Sequence, residues 1–319
     1  MRSNHYQAIF PVTDETIVPI AKHKEEFSKY TLIPPPDYET LAKAMDKAQT
    51  IRIAQENDIA CPKTYLVDNI KEVEAIQFPV VIKPRSSSGS RGLTLCQSVE
   101  ELSSSYPKVI AAYGPCMIQE YIPPGSEELG VYALLNFNSE LRAATVQKRL
   151  RSYPVSGGPS TLRETVNRPE LVEIALRLLK ALRWSGVAMV EFKIDPRDNK
   201  PKLMEVNPRW WGSLQLSILS GVDFPYLLYK LITEGDIEPV LNYRVGVRCR
   251  WMLPGDILWF FSAPGKLRNL PKFLKFEHND DIISWKDLGP TLGFLLASAR
   301  FAFDRDMWKF VIRKPTQLK

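Results

Sequence analysis

The sequence is poor in the residues that bind soft metals: it has three histidines and four cysteines in 319 residues, and Cys61, Cys96, Cys116 and Cys249 form no C-x-x-C pair. That scarcity argues against a Cys/His zinc site and a disulfide framework, and it predicts a reducing, cytoplasmic setting. Long apolar runs are also missing. The longest stretch without a charged residue is the thirteen residues between Arg209 and Asp223, too short to cross a bilayer. The opening MRSNHYQAIFPVTDE lacks the apolar core of a secretion signal. Neither a Walker A loop nor G-x-G-x-x-G is present. A metal held by this chain must therefore take oxygen ligands.

What is present is an ordinary globular balance, 45% hydrophobic and 24% charged, in a chain long enough for two or three packed lobes. The formal charge of +6 is unevenly placed. Residues 240–319 carry 14 Lys/Arg against 7 Asp/Glu and hold 13 of the 33 aromatics, whereas residues 1–239 are close to neutral. A basic, aromatic-rich tail suits an anionic partner. However, Leu267, Leu270 and Leu274 are spaced as in a helix that buries one side, so the tail is expected to be a small packed appendage with solvated cations. Pro271 is expected to interrupt that helix or start a new one.

Along the chain, a helix is predicted from residue 14 to about 30 and is followed by the stiff connector Pro34-Pro35-Pro36. Leu41, Ala44, Met45, Ala48 and Ile51 predict one helix over residues 38–58. Strands are predicted at 64–67, 78–82 and 93–96, with small helices over 71–76 and 99–106. Further strands are expected at 117–121, 131–137 and 142–148. Pro169 in a first turn and the stripe Leu171, Ile174, Leu178 and Leu182 predict a helix over 169–184. Strands at 187–195 and 202–207 follow, then helices over 213–219 and 225–234. Mixed elements without strict alternation predict an α+β architecture.

Two segments carry chemistry. In Phe78-Pro-Val-Val-Ile-Lys-Pro-Arg-Ser-Ser-Ser-Gly-Ser-Arg-Gly92, a buried strand delivers Lys83 to its end, and small residues then let backbone N–H groups approach anionic oxygens. Alone, such a loop is more often a plain turn. The second segment is Val187-Ala-Met-Val-Glu191-Phe-Lys-Ile-Asp195, followed by Lys202-Leu-Met-Glu205-Val-Asn207-Pro-Arg209. Residues two apart on a strand share a face, so Glu205 and Asn207 point the same way, and the hairpin sets Glu191 beside them. Two carboxylates and an amide oxygen suit Mg²⁺ bridging nucleotide phosphates.

Together these segments resemble the ATP-grasp superfamily, and within it the carbamoyl-phosphate-synthase-like branch of carboxylate–amine ligases. The resemblance covers about residues 40–235, and its most specific part is the ending Glu-Val-Asn-Pro-Arg. It implies an α+β, ATP-grasp fold in which two lobes clamp ATP. Residues 1–37 would be a truncated remnant of an N-terminal domain. Residues 38–239 would be the ATP-grasp domain, with a small lobe at about 63–120 and a large lobe at about 121–239. Residues 240–319 would form a basic, mainly helical extension.

The resemblance further implies that Lys47 and Lys83 bind phosphate, and that Ser87, Ser88, Gly89, Ser90 and Gly92 form a lid over it. Glu120, Tyr121 and Ile122 would be the hinge whose backbone reads adenine. Glu127, or the adjacent Glu128 if the assignment slips by one, would bind the ribose, and Met204 would pack on the base. Glu191, Glu205 and Asn207 fall on the Mg²⁺ (or Mn²⁺) ligands. Arg209 would hold the substrate carboxylate or the departing phosphate; Arg149 and Arg151, before Gly157-Gly158, are further candidates for substrate.

The implied reaction joins a small-molecule carboxylate to an amine through an acyl phosphate, a chemistry that needs charge neutralisation and alignment more than an enzyme nucleophile. A second reading is a non-catalytic ATP-binding regulatory module, and a third is a peripheral membrane or nucleic-acid binder acting through the tail. The full set Glu191, Glu205, Asn207 and Arg209 favours the enzyme. The short N-terminus favours the module, or a homodimer or partner that supplies the missing domain. No nucleic-acid partner is expected, and membrane contact through the tail ranks below a solvated tail.

Overall fold

A computed structural model describes residues 5–66, 76–87, 89, 91–155, 157–275, 279–284 and 286–301. The helix expected at 71–76 lies almost wholly outside the described residues. The chain opens with α1 (Asp14–Lys22), α2 (Lys24–Phe27), α3 (Tyr38–Met45) and α4 (Lys47–Glu56). A first sheet contains β1 (Thr64–Tyr65), β2 (Val80–Pro84), β3 (Thr94–Cys96) and β4 (Cys116–Glu120) in the order β1-β4-β2-β3. Alternation along β2 sends Val80 and Ile82 into an apolar core with Leu102 and Tyr106 of α5 (Val99–Tyr113), and leaves Lys83 on the other face.

The second sheet has the order β11-β10-β7-β6-β5-β8-β9. Its strands are β5 (Glu127–Leu135), β6 (Leu141–Ser152), β7 (Ser160–Thr165), β8 (Gly186–Asp195), β9 (Lys200–Asn207), β10 (Arg248–Arg250) and β11 (Asn279–Asp280). The remaining helices are α6 (Pro169–Ala181), α7 (Leu214–Ser220), α8 (Phe224–Glu234), α9 (Ile257–Ser262), α10 (Lys266–Phe273) and α11 (Gly289–Phe301). One face of this sheet is apolar: Leu129, Val131 and Ala133 of β5 align with Phe192, Val190 and Ala188 of β8 and pack against α1, α3, α4 and α6. The opposite face is split. Tyr132 and Leu134 are covered by Trp210, Trp211 and the α8 side chains Phe224 and Leu228. At the start of β5, the same face carries Glu128 and Gly130, opposite Lys193 and Glu191.

A bulge in β9 adjusts this polar floor. Glu191 pairs with Glu205 but Phe192 pairs with Leu203, which leaves Met204 as an extra residue. Leu203 and Val206 therefore both enter the core, while Glu205 and Asn207 stay beside Glu191.

The helix expected over 38–58 is in fact two helices. Asp46 has an extended backbone and caps α4, its Oδ1 accepting from Ala48 N at 3.0 Å and from Arg85 Nε at 3.0 Å. The expected N-terminal helix is likewise divided into α1 and α2. Helix α5 runs past Pro107 to Tyr113, held by the buried Val109 beyond the proline. Strand β7 escaped the periodicity reading because its buried residues include Thr161, Arg163 and Thr165, which carry no apolar alternation.

The C-terminal extension is built into the large sheet, since β10 pairs with β7. Fully buried Asp256 anchors it, accepting from Arg151 Nη1 at 2.8 Å, Arg250 Nε at 2.6 Å and Thr161 Oγ1 at 3.1 Å. Removing one partner of a buried ion cluster leaves uncompensated charge, so Asp256→Ala is expected to cost about 3–5 kcal/mol of stability. Urea denaturation checks this, and an unchanged midpoint would show that the cluster does not hold the extension. The expected burial of the α10 leucines is overturned: Leu267, Leu270 and Leu274 are exposed. Helix α10 turns its other side inward, where Phe273 stacks on Phe260 at 4.5 Å and lies under the Arg250 guanidinium. Pro271 sits inside α10 without ending it.

Candidate functional site

The two sheets meet over the polar floor. Lys83 is buried, donates Nζ to the Met204 carbonyl at 2.9 Å and lies 3.9 Å from Glu205 Oε2. Lys47 opens α4, lies 3.6 Å from the same oxygen and donates to the Ser87 carbonyl. The Asp46 cap thus places one lysine and the end of β2 places the other, both on a single carboxylate. Burial pushes the Lys83 ammonium below its usual range, against the pull of Glu205.

Glu191 stands directly opposite Glu205, and Asn207 Nδ2 donates to Glu205 Oε1 at 3.2 Å. Burial, and then the neighbouring Glu205 carboxylate, push the Glu191 carboxyl up to about 7. Burial also raises Glu205, but the Lys83 and Lys47 ammonium groups more than offset it and hold the group below the usual carboxylate range. Two half-buried carboxylates side by side favour a proton or a cation between them, and the donors here are all hard oxygens. Among the described residues no three His, Cys, Asp or Glu side chains gather into a complete cage. The set fits a divalent ion that takes its other ligands from phosphate and water.

Arg149 lies on this floor, donating Nη1 to Glu128 Oε2 at 2.6 Å and reaching Glu191 Oε1 at 3.6 Å. Arg151 does not. The β6–β7 register shifts between the two arginines, so Arg149 pairs with Arg163 and Arg151 with Leu162. Arg151 is bound instead to Asp256 and to the Lys272 carbonyl at 2.9 Å, with its guanidinium 4.2 Å from the Trp259 ring centroid. That slip places Arg151 apart from the other expected site residues. Glu127 also stands off this floor. Alternation turns it to the face away from Glu191, where it pairs with Lys148 and with Arg168 at 3.4 Å. Glu128 shares the floor, paired with Arg149 and with Lys193 at 3.1 Å. Lys193 was missed, although counting by twos from Glu191 along β8 reaches it; the same count carried across to β5 selects Glu128 over its neighbour Glu127.

The segment expected as a hinge is tightly held. Glu120 N–H donates to the Lys63 carbonyl at 2.8 Å and Tyr121 N–H to the Pro79 carbonyl at 3.2 Å. The Glu120 carboxylate accepts from Lys63 N at 3.1 Å and pairs with Arg197 at 2.6 Å, which joins the first sheet to the turn after β8. Ile122 follows and is buried. Arg209 donates Nε to Asp14 Oδ1 at 2.9 Å, so a residue of α1 holds it at the floor's edge. Of the expected lid, Ser88 and Ser90 lie outside the described residues, and Gly89 has open space around it. Gly92 has φ +77°, and a Cβ there would stand 2.7 Å from Pro84 and 2.9 Å from the Tyr113 ring, so close packing demands this glycine.

Residues 113–253 match a family model described as ATP-grasp in the biosynthetic pathway with Ter operon. The chain is 24% identical over 237 residues to the D-aspartate ligase of Enterococcus faecium, covering 67% of this chain and 55% of that one. It is 27% identical over 187 residues to D-alanine–D-alanine ligase B of Clostridium tetani, covering 51% and 49%. Biotin carboxylase of Campylobacter jejuni, solved as a beta-gamma-ATP complex, superposes with a TM-score of 0.66 at 17% identity over 76% of this chain and 58% of that one. The chain spans about half the length of the curated relatives it matches.

Proposed function

We propose, on the premise that this chain belongs to the ATP-grasp superfamily in its carboxylate–amine ligase branch, that it joins a small-molecule carboxylate to an amine using ATP. The observation that carries this reading is the convergence of Lys47 and Lys83 on Glu205, with Glu191 and Asn207 on adjoining positions of the same floor. ATP lies between the two sheets, its phosphates against both lysines and beside the loop that begins at Ser87. Ile122 offers its N–H to the adenine edge, because Glu120 and Tyr121 have already engaged theirs. Glu128 takes the ribose hydroxyls in place of Glu127. Glu191, Glu205 and Asn207 hold Mg²⁺, which when bound neutralises charge on the phosphate oxygens.

Arg149 and Arg209 hold the substrate carboxylate. Its oxygen attacks the γ-phosphorus, the bond from that phosphorus to the β–γ bridging oxygen breaks, and ADP leaves an acyl phosphate behind. The amine nitrogen then attacks the acyl carbon, inorganic phosphate departs and the nitrogen loses a proton. Lys47 and Lys83 stabilise the charge that moves onto the phosphate oxygens. The test is ADP and phosphate release over a panel of carboxylates paired with amines, with Mg²⁺ supplied or chelated. Release that needs both substrates and stops on chelation is expected. Tight ATP binding without turnover across the panel would leave a nucleotide-binding module instead.

The ribose assignment has its own check. Glu128→Gln is expected to weaken ATP binding about tenfold, as loss of a charge-assisted hydrogen bond does. Glu127→Gln should stay within about twofold, since its ion pairs are partly exposed. Calorimetric titration with Mg²⁺ and ATP decides between them, and equal losses would reverse the assignment.

A further inference from the structure

We infer that the C-terminal extension is a docking surface for an anionic lipid bilayer, with the exposed apolar stripe of α10 at its centre. Leu267, Leu270 and Leu274 recur at helical spacing and are 88%, 38% and 50% exposed, and Phe261 at the end of α9 is 63% exposed. Scattered exposed leucines are ordinary, but a stripe along one side of a helix marks an interaction surface. The charge around it has one sign. Between Asp256 and Glu277 the sequence contains Lys266, Arg268, Lys272 and Lys275 and no acidic residue, and all four cations are exposed. Two described acids of the extension are turned inward, whereas Asp287 is exposed. Asp256 is enclosed by Arg151 and Arg250, and Asp281 is paired with Arg163.

An apolar stripe flanked by cations is what a helix lying in the plane of a membrane surface presents. The leucines enter the acyl boundary while the cations meet anionic headgroups. A nucleic acid offers nothing to Leu267 and Leu274, so the bilayer satisfies both halves of the surface. Helix α11 of the same extension also exposes Leu292, Leu295 and Leu296, with no charged residue between Asp287 and Arg300. No helix among the described residues is long and apolar enough to cross a membrane, so the contact lies on the bilayer. The extension joins the large sheet through β10 and β11 at one edge, whereas Glu191 and Glu205 sit on β8 and β9 at the other.

The test uses the whole chain without nucleotide, so its outcome is independent of the ligase reading. Sedimentation with vesicles of equal parts phosphatidylglycerol and phosphatidylcholine is expected to retain the protein at low salt. Retention should fall at least about tenfold on pure phosphatidylcholine, because each cation near an anionic surface contributes about 1 kcal/mol. It should also weaken as salt is added. The double variant Leu267→Ser/Leu274→Ser removes only exposed side chains, so it should keep the wild-type melting temperature while losing about tenfold in vesicle binding. Absence of binding to the anionic vesicles at low salt overturns the proposal, as does undiminished binding of the double variant. A concentration-dependent dimer in light scattering that the double variant abolishes would also overturn it, by assigning the stripe to a second copy of the chain.

Discussion

Lys83→Ala is expected to weaken Mg²⁺–ATP binding on the order of a hundredfold, which is roughly 3 kcal/mol and typical for truncating one member of a desolvated charge pair. The size follows from where the lysine sits. It is buried at the end of β2, where water screens little, and no other side chain of the first sheet reaches Glu205 among the described ion pairs. Lys47 remains 3.6 Å from Glu205 in the variant, so the acid keeps a partner and the fold should survive. Lys83→Met preserves the bulk of the stem and should lose nearly as much affinity, which separates charge from packing. Calorimetry gives the affinity and circular dichroism the fold. A dissociation constant close to wild type in both variants would remove Lys83 from the phosphate path.

Glu205→Gln should behave differently. The amide is nearly the same shape, so nucleotide still binds, but turnover is expected to fall by about a thousandfold, at the upper end of what losing one transition-state electrostatic contact costs. Two signs should reverse with metal. With Mg²⁺ present, the variant should bind ATP more weakly than wild type because a charged metal ligand is gone. With the metal chelated, it should bind ATP more tightly, because a carboxylate no longer opposes the phosphates beside Lys47 and Lys83. A merely structural glutamate would produce no such crossover. Wild-type turnover in the variant would contradict the metal assignment outright.

Much of this site was legible in the sequence because it rests on strand parity, a property each residue carries locally. Glu205 and Asn207 share a face, and the hairpin brings Glu191 to them, as the alternation of β8 and β9 required. Lys83 followed from an apolar strand ending in a lysine. The failures occur where parity breaks or cannot be counted. The register slip after Arg149 diverts Arg151 into the extension, and no local pattern around Leu150 announces it. The sequence left open which of the adjacent Glu127 and Glu128 faces the floor, and only the pairing of β5 with β8 turns Glu128 toward it. The break at Asp46 was hidden by an apolar stripe that continues across it, since capping is decided by Arg85 as well as by the local chain. For the α10 leucines the periodicity was right and the direction wrong. A stripe specifies that one side is apolar, and it does not say that anything covers it.

The bulge in β9 has a further meaning. A strand lacking Met204 would still send Leu203 and Val206 inward and Glu205 and Asn207 outward, so the additional residue is not needed to aim side chains. What it adds is a main-chain oxygen, on which Lys83 rests at 2.9 Å while staying 3.9 Å from Glu205. This neutral mooring keeps the lysine from closing fully onto the acid, as the proposed phosphate site requires. The ammonium and the carboxylate are thereby kept apart, each available for an incoming charge of the opposite sign.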